Sequence, residues 1–133
     1  MAIVLDVSVA AAWCFPDEQA DAAERALDEL PRLGGVVPGI FRYEIRNVLV
    51  VNERRGRIDQ AGSARFLMRL RDLRLLQDDA HDEDTVMALA RKHGLSAYDA
   101  AYLETALRRG DRLATLDRAL ANAASAEGVA LIH

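Results

Sequence analysis

Five short, largely apolar runs punctuate this chain: Ile3–Asp6, Gly35–Val37, Arg74–Gln77, Arg112–Thr115 and Val129–Ile132. Most lack the period-two alternation of a strand with one wet face. Such runs suit strands buried on both faces, as in a parallel sheet. Longer stretches with helical spacing separate them, and strands alternating with helices specify an α/β fold with right-handed crossovers. In open sheets of this kind, ligands gather beyond the carboxyl ends of the strands. At 133 residues the chain fits one domain, expected to run over 1–133.

The helix boundaries are marked by residue type. Ser8 is a candidate cap for a short helix through Cys14, with Pro16 as its stop. Asp17 is a candidate cap for Glu18–Leu30, with Pro31 and Gly34-Gly35 ending it. Further helices are expected from Gly39 to Arg55, Asp59 to Leu73, Asp82 to His93, Ser96 to Arg109 and Asp117 to Ala126. Gly56, Gly94, Gly110 and Gly128 stand at or near the ends of four of them.

Composition narrows the class. Hydrophobic residues make up 51% and charged residues 29%, which reads as globular rather than disordered. No apolar run approaches the roughly 20 residues a membrane-spanning helix needs. Met1-Ala2-Ile3 lacks the charged start of a secretory signal, so a cytoplasmic protein is expected. The single cysteine, Cys14, excludes an intramolecular disulfide.

The net charge of −4 argues against a simple polycation binding nucleic acid. The average hides a division, however. Between Arg42 and Arg74 lie nine arginines and four acids, a local excess of +5. Arginine supplies all the basic residues except Lys92, which favours bidentate phosphate contacts. Arg42, Arg46, Arg54 and Arg55 are the candidate RNA contacts; a solvated helical face is the plainer alternative. Val50, Val51, Phe66, Leu67, Met68 and Leu70 exceed what one helical face buries, and some are expected at a protein interface.

Four carboxylates carry the chemistry. Asp6 ends the run Ile3-Val4-Leu5, and Asp117 follows Leu113-Ala114-Thr115. Both fall at the carboxyl ends of expected strands. Glu44 shares the apolar helical stripe of Phe41, Ile45, Val48 and Leu49. Arg42 and Arg46, the nearest ion-pair partners in sequence, point elsewhere on that helix. Asp99 sits in the first turn of a helix that is apolar nearly all round, within Ser96-Ala97-Tyr98-Asp99, a capping-box pattern. Each acid alone has a structural reading: a turn carboxylate for Asp6, an ion pair for Glu44, helix caps for Asp99 and Asp117. Together they converge on one end of one sheet. Ionised carboxylates crowd only around a cation. An all-oxygen site selects Mg²⁺, with Mn²⁺ as the alternative. Such ions activate water against a phosphodiester.

Other constellations fail. Lys92 stands in no glycine-rich loop, and His81, His93 and His133 lack metal-ligand spacing and are expected at the surface. The acidic run Asp78, Asp79, Asp82, Glu83, Asp84 reads as a solvated loop and a first helical turn.

The segments Val4-Leu5-Asp6-Val7-Ser8-Val9, Tyr43-Glu44-Ile45-Arg46-Asn47-Val48-Leu49, Leu95-Ser96-Ala97-Tyr98-Asp99-Ala100-Ala101-Tyr102 and Leu113-Ala114-Thr115-Leu116-Asp117 together resemble the PIN-domain ribonucleases. The resemblance is closest to VapC-type toxins of toxin–antitoxin pairs and covers nearly the whole chain. It implies an α/β/α sandwich with a short central parallel sheet. It implies that Asp6, Glu44, Asp99 and Asp117 form a Mg²⁺ site, with Ser8, Asn47 and Thr115 as supporting polar groups. It further implies a homodimer and a co-encoded VapB-type antitoxin. The expected activity is a metal-dependent endoribonuclease. Two rivals remain: a catalytically silent PIN-fold binding module, and an aspartyl phosphatase of the haloacid dehalogenase type. The latter usually wants an aspartate where Ser8 stands.

Overall fold

The computed structural model describes every residue except Pro16, Glu18 and Gln19. Among the described residues, four strands form one parallel sheet: β1 (Ile3–Leu5), β2 (Gly35–Val37), β3 (Leu76–Gln77) and β4 (Arg112–Ala114), in the order β3-β2-β1-β4. Seven helices accompany them: α1 (Val7–Cys14), α2 (Asp21–Leu33), α3 (Ile40–Arg54), α4 (Gln60–Asp72), α5 (Glu83–His93), α6 (Ala97–Arg109) and α7 (Arg118–Ala126).

β1 is the middle of the design. Ile3 pairs with Gly35 on one side and Arg112 on the other. Successive strand residues point to opposite faces, and Ile3, Val4 and Leu5 all have 0% exposure. Helices therefore cover the sheet on both sides, which is why the run shows no alternation. Both α2 and α6 pack on β1 and β4. Burial at roughly 25 cal/mol per Å² of apolar surface makes this strand the main anchor of the fold.

The strands at the sheet margins are weaker than the sequence suggests. β3 shrinks to Leu76–Gln77, both exposed, because it pairs on one side only. The expected strand Val129–Ile132 reduces to a single parallel bridge between Leu113 and Leu131. Its apolar pattern is still used: Val129 and Ile132 are buried in the core.

Three helix expectations change. α1 starts at Val7 with Asp6 at its N-cap position, so Ser8 lies inside the helix rather than capping it. α2 begins at Asp21 with Ala20 as its N-cap, and Pro31 lies inside its last turn rather than ending it. Asp17 instead accepts two hydrogen bonds from the Arg57 guanidinium, at 2.9 and 3.0 Å. The expected stop at Pro16 and helix start at Glu18 lie outside the described residues. By contrast, Asp59, Asp82, Ser96 and Asp117 each cap a helix through the side chain. α5 and α6 end on Gly94 and Gly110, both in the left-handed region that glycine adopts without a Cβ clash.

His81 and His93 are not surface residues. His81 Nε2 lies 2.9 Å from Thr105 Oγ1, and His93 Nε2 lies 2.6 Å from Glu127 Oε2. Asp78, read as part of a solvated run, is buried and takes bonds from Arg108 and Arg109. Phe66 and Leu70 are core residues, so the apolar excess on α3 and α4 comes down to exposed Val50 and Met68.

Candidate active site

The backbone leaves β1 at Asp6 and β4 at Thr115, side by side, because Leu5 and Ala114 are sheet partners. Asp6 is buried at the first of these exits. Its Oδ2 accepts from Ser8 Oγ at 2.6 Å and from Thr115 Oγ1 at 2.8 Å. Each hydroxyl is held in turn by a backbone amide of the turn after β4. Leu116 N–H donates to Ser8 Oγ, and Asp117 N–H donates to Thr115 Oγ1. Asp6 makes no side-chain cap to α1, so the turn-capping reading of this residue fails.

Asp117 does cap α7, accepting from Leu120 N–H through Oδ1. For α6 the cap is Ser96, whose Oγ accepts from Asp99 N–H at 3.1 Å. The first turn of α6 thus holds Asp99 in place. Burial, and then the charges of Asp6 and Asp117, push the Asp99 carboxyl above its usual range.

Glu44 enters from α3, about one turn in from the start of that helix. It is half-buried, and its Oε1 accepts from the Tyr102 hydroxyl at 2.7 Å. Burial raises its carboxyl above the ordinary value, the Tyr102 bond opposes this, and Asp6 and Asp99 add to the rise. The Tyr102 hydroxyl is itself held firmly protonated by burial and by Glu44. Asp6 and Asp99 thus act on Glu44, and Asp6 and Asp117 act on Asp99, although the four acids are spread over most of the chain.

The remaining expected residues divide. Ser8 and Thr115 lie at the centre, bonded to Asp6. Asn47 is exposed on α3, three residues beyond Glu44. Arg42 and Arg46 stand two positions either side of Glu44, about 200° around the helix and so facing away from it. They line a groove of about 320 Å³ with Arg71, Arg74 and an apolar floor that includes Phe41 and Ile45. Arg46 Nη1 donates to Arg42 O, so neither reading of Glu44 as an arginine ion pair holds. Arg54 lines a different depression, at the turn between α3 and α4, and Arg55 is exposed at the end of α3. Tyr102 is the residue that the sequence reading missed. Its signal is a phenol on the buried face of α6, beside Leu103 and Ala106.

The donor chemistry suits a hard divalent cation. The site offers carboxylate oxygens at the end of a covered sheet. Among the described residues, no three His, Cys, Asp or Glu side chains are already gathered into a metal-holding group. Mg²⁺ keeps several waters and needs only one or two direct carboxylates, so a closed cage is not required.

A sequence model of the PIN domain family matches residues 3–126. Ribonuclease VapC3 of Pyrobaculum aerophilum is 36% identical over 124 residues, which span 91% of this chain and 93% of that protein. Exonuclease VapC9 of the same organism is 39% identical over 79 residues, 59% of this chain and 58% of that one. The crystal structure of PAE2754 from Pyrobaculum aerophilum superposes with a TM-score of 0.76 at 27% identity, covering 99% of this chain and 90% of that chain.

Proposed function

The chain belongs to the PIN-domain family, and on that premise we propose that it is a metal-dependent endoribonuclease, the toxin of a VapBC-type toxin–antitoxin pair. The observation that carries the reading is the run of acids at one end of the sheet, in which the charges of Asp6 and Asp99 act on Glu44 and those of Asp6 and Asp117 act on Asp99. Family membership removes the phosphatase alternative.

In this reading the four acids hold Mg²⁺ or Mn²⁺. Bound there, the ion would polarise a phosphodiester and lower the pKa of a water it holds. The protein's own groups do the rest. Ser8 and Thr115 fix Asp6 by taking up Oδ2. Asp117 is fixed through its cap to α7. A site carboxylate would orient the attacking water and pass its proton on. Water oxygen forms the new bond to phosphorus as the bond to O3′ breaks. A 3′-hydroxyl leaves and a 5′-phosphate remains. Arg42, Arg46, Arg54 and Arg55 serve the RNA backbone. The two different depressions that Arg46 and Arg54 line suit a strand running along α3 rather than a single phosphate clamp.

We assign RNA as substrate, a VapB-type antitoxin and a second copy as partners, and the cytoplasm as location. Among the described residues no helix is long and apolar enough to cross a membrane. Exposed Tyr43, Val50 and Met68 offer apolar surface for the protein partners.

Total cellular RNA incubated with the protein, with both product ends mapped, tests the activity. Internal cuts with 5′-phosphate ends are expected, lost in chelator and in Asp6→Asn. Cyclic 2′,3′-phosphate ends, or cleavage in excess chelator, would sink the mechanism. Release of single nucleotides from one end would favour the exonuclease mode that the name of one relative carries. Metal binding without cleavage would favour the silent module.

A further inference from the structure

Tyr102 lies wholly within the protein, yet its hydroxyl ends on a site carboxylate. Ala100, Leu103 and Ala106 beside it on α6 are equally buried. A phenylalanine would fill the same space. What tyrosine adds is one hydrogen bond, and that bond goes to Glu44 Oε1 at 2.7 Å. A buried hydroxyl needs a partner, and here the partner is a carboxylate with two other acids acting on it.

The usual partner for a half-buried glutamate is a cationic side chain. Arg42 and Arg46 are close in sequence but face the groove on the other side of α3. A guanidinium on Glu44 would cancel its charge and compete with any bound cation. A neutral donor does neither. It fixes one oxygen and leaves the negative charge and the second oxygen, Oε2, to a cation.

Resting on the metal-dependent reading above, we infer that Tyr102 is a positioning residue for the divalent cation, acting through its hydrogen bond to Glu44. α6 then serves the site twice, directly through Asp99 and indirectly through Tyr102 one turn further on. Removing an outer partner of a metal ligand typically weakens metal binding by about 10- to 100-fold.

The test is Mn²⁺ binding, by calorimetry or by loss of the free-ion resonance signal, on the parent, Tyr102→Phe, Glu44→Gln and the double variant. Unfolding temperature in chelator checks that Tyr102→Phe is folded. The expected result is Mn²⁺ affinity reduced about tenfold or more in Tyr102→Phe, with no further loss when it is added to Glu44→Gln. RNA cleavage by Tyr102→Phe should need correspondingly more Mg²⁺ and recover most of its rate at saturation. Parent-like Mn²⁺ affinity in Tyr102→Phe would overturn the inference. So would an equal loss in the Glu44→Gln background, because the hydroxyl would then act elsewhere. A parent that binds no Mn²⁺ overturns it too. A parent that binds Mn²⁺ and cleaves no RNA removes the nuclease reading alone, and the four affinities still decide the role of Tyr102. If Tyr102→Phe does not fold, Tyr102→Trp and Tyr102→Leu take its place, with parent-like affinity in a folded variant again decisive against the inference.

Discussion

Thr115 donates its hydroxyl to Asp6 across 109 positions of sequence, at 2.8 Å. The same oxygen of Thr115 accepts from Asp117 N–H. One side chain therefore ties the first of the four acids to the turn that presents the fourth. Thr115→Val keeps the shape, removes both bonds and leaves a backbone amide short of an acceptor. A loss of about 1–3 kcal/mol in urea unfolding is expected, with Thr115→Ser close to the parent. Parent-like stability in Thr115→Val would show that the turn is held by other contacts.

Asp117 combines two roles that substitution can separate. Asparagine caps a helix about as well as aspartate, whereas alanine costs about 0.5–2 kcal/mol. Asp117→Asn should unfold near the parent temperature and still lose most RNA cleavage. Asp117→Ala should lose both stability and cleavage. If Asp117→Asn cleaves RNA at the parent rate, the residue is a cap and nothing more.

Asp99 stores repulsion in the metal-free protein, because Asp6 and Asp117 act on it. Its capping duty is carried by Ser96. Asp99→Asn should therefore unfold in chelator at the same or a higher temperature than the parent, while RNA cleavage falls away. Added Mg²⁺ should raise the parent's unfolding temperature more than the variant's, since binding to the native state stabilises by mass action. Equal metal responses would place Asp99 outside the metal site.

Acid and base act on stability in opposite directions through different carboxylates. Glu44 and Asp99 are raised in the fold, so the stability linked to them is full below their ordinary values of 4.5 and 3.8 and falls as pH rises through the folded values. Asp78 is lowered, first by its bonds from Arg108, so its contribution is full above 3.8 and falls as pH drops below that. In chelator, the unfolding temperature should thus decline as pH rises above about 4.5, through the raised values of Glu44 and Asp99. Saturating Mg²⁺ should remove most of the decline, and Asp78→Asn should flatten the acid limb. A metal-free unfolding temperature that climbs steadily to pH 7 would contradict the repulsion at Glu44 and Asp99.

The sheet was legible because its strands are buried on both faces, so that burial writes an unbroken apolar run into the sequence. Leu76–Gln77 was harder to delimit, since an edge strand with exposed side chains leaves little trace. Local capping chemistry marked Asp59, Asp82, Ser96 and Asp117 correctly. It misled at Asp17, which is bonded to Arg57 40 residues away. The four acids were found by their odd placement at strand ends and on apolar helical faces. Tyr102 escaped for the same reason that Asp17 misled. Both act through partners distant in sequence, Glu44 being 58 residues away, and no short window holds such a pair.

The place of β1 between β2 and β4 also sets an order of events. One side of β1 can pair as soon as β2 has emerged during synthesis, but its other side waits for Arg112–Ala114. Until then the growing chain can carry Asp6, Glu44 and Asp99 but not Asp117, and Asp6 lacks its bond from Thr115. Non-local pairing of this kind is formed late and slowly. On the proposed reading, the acid site is therefore incomplete until the last strand docks.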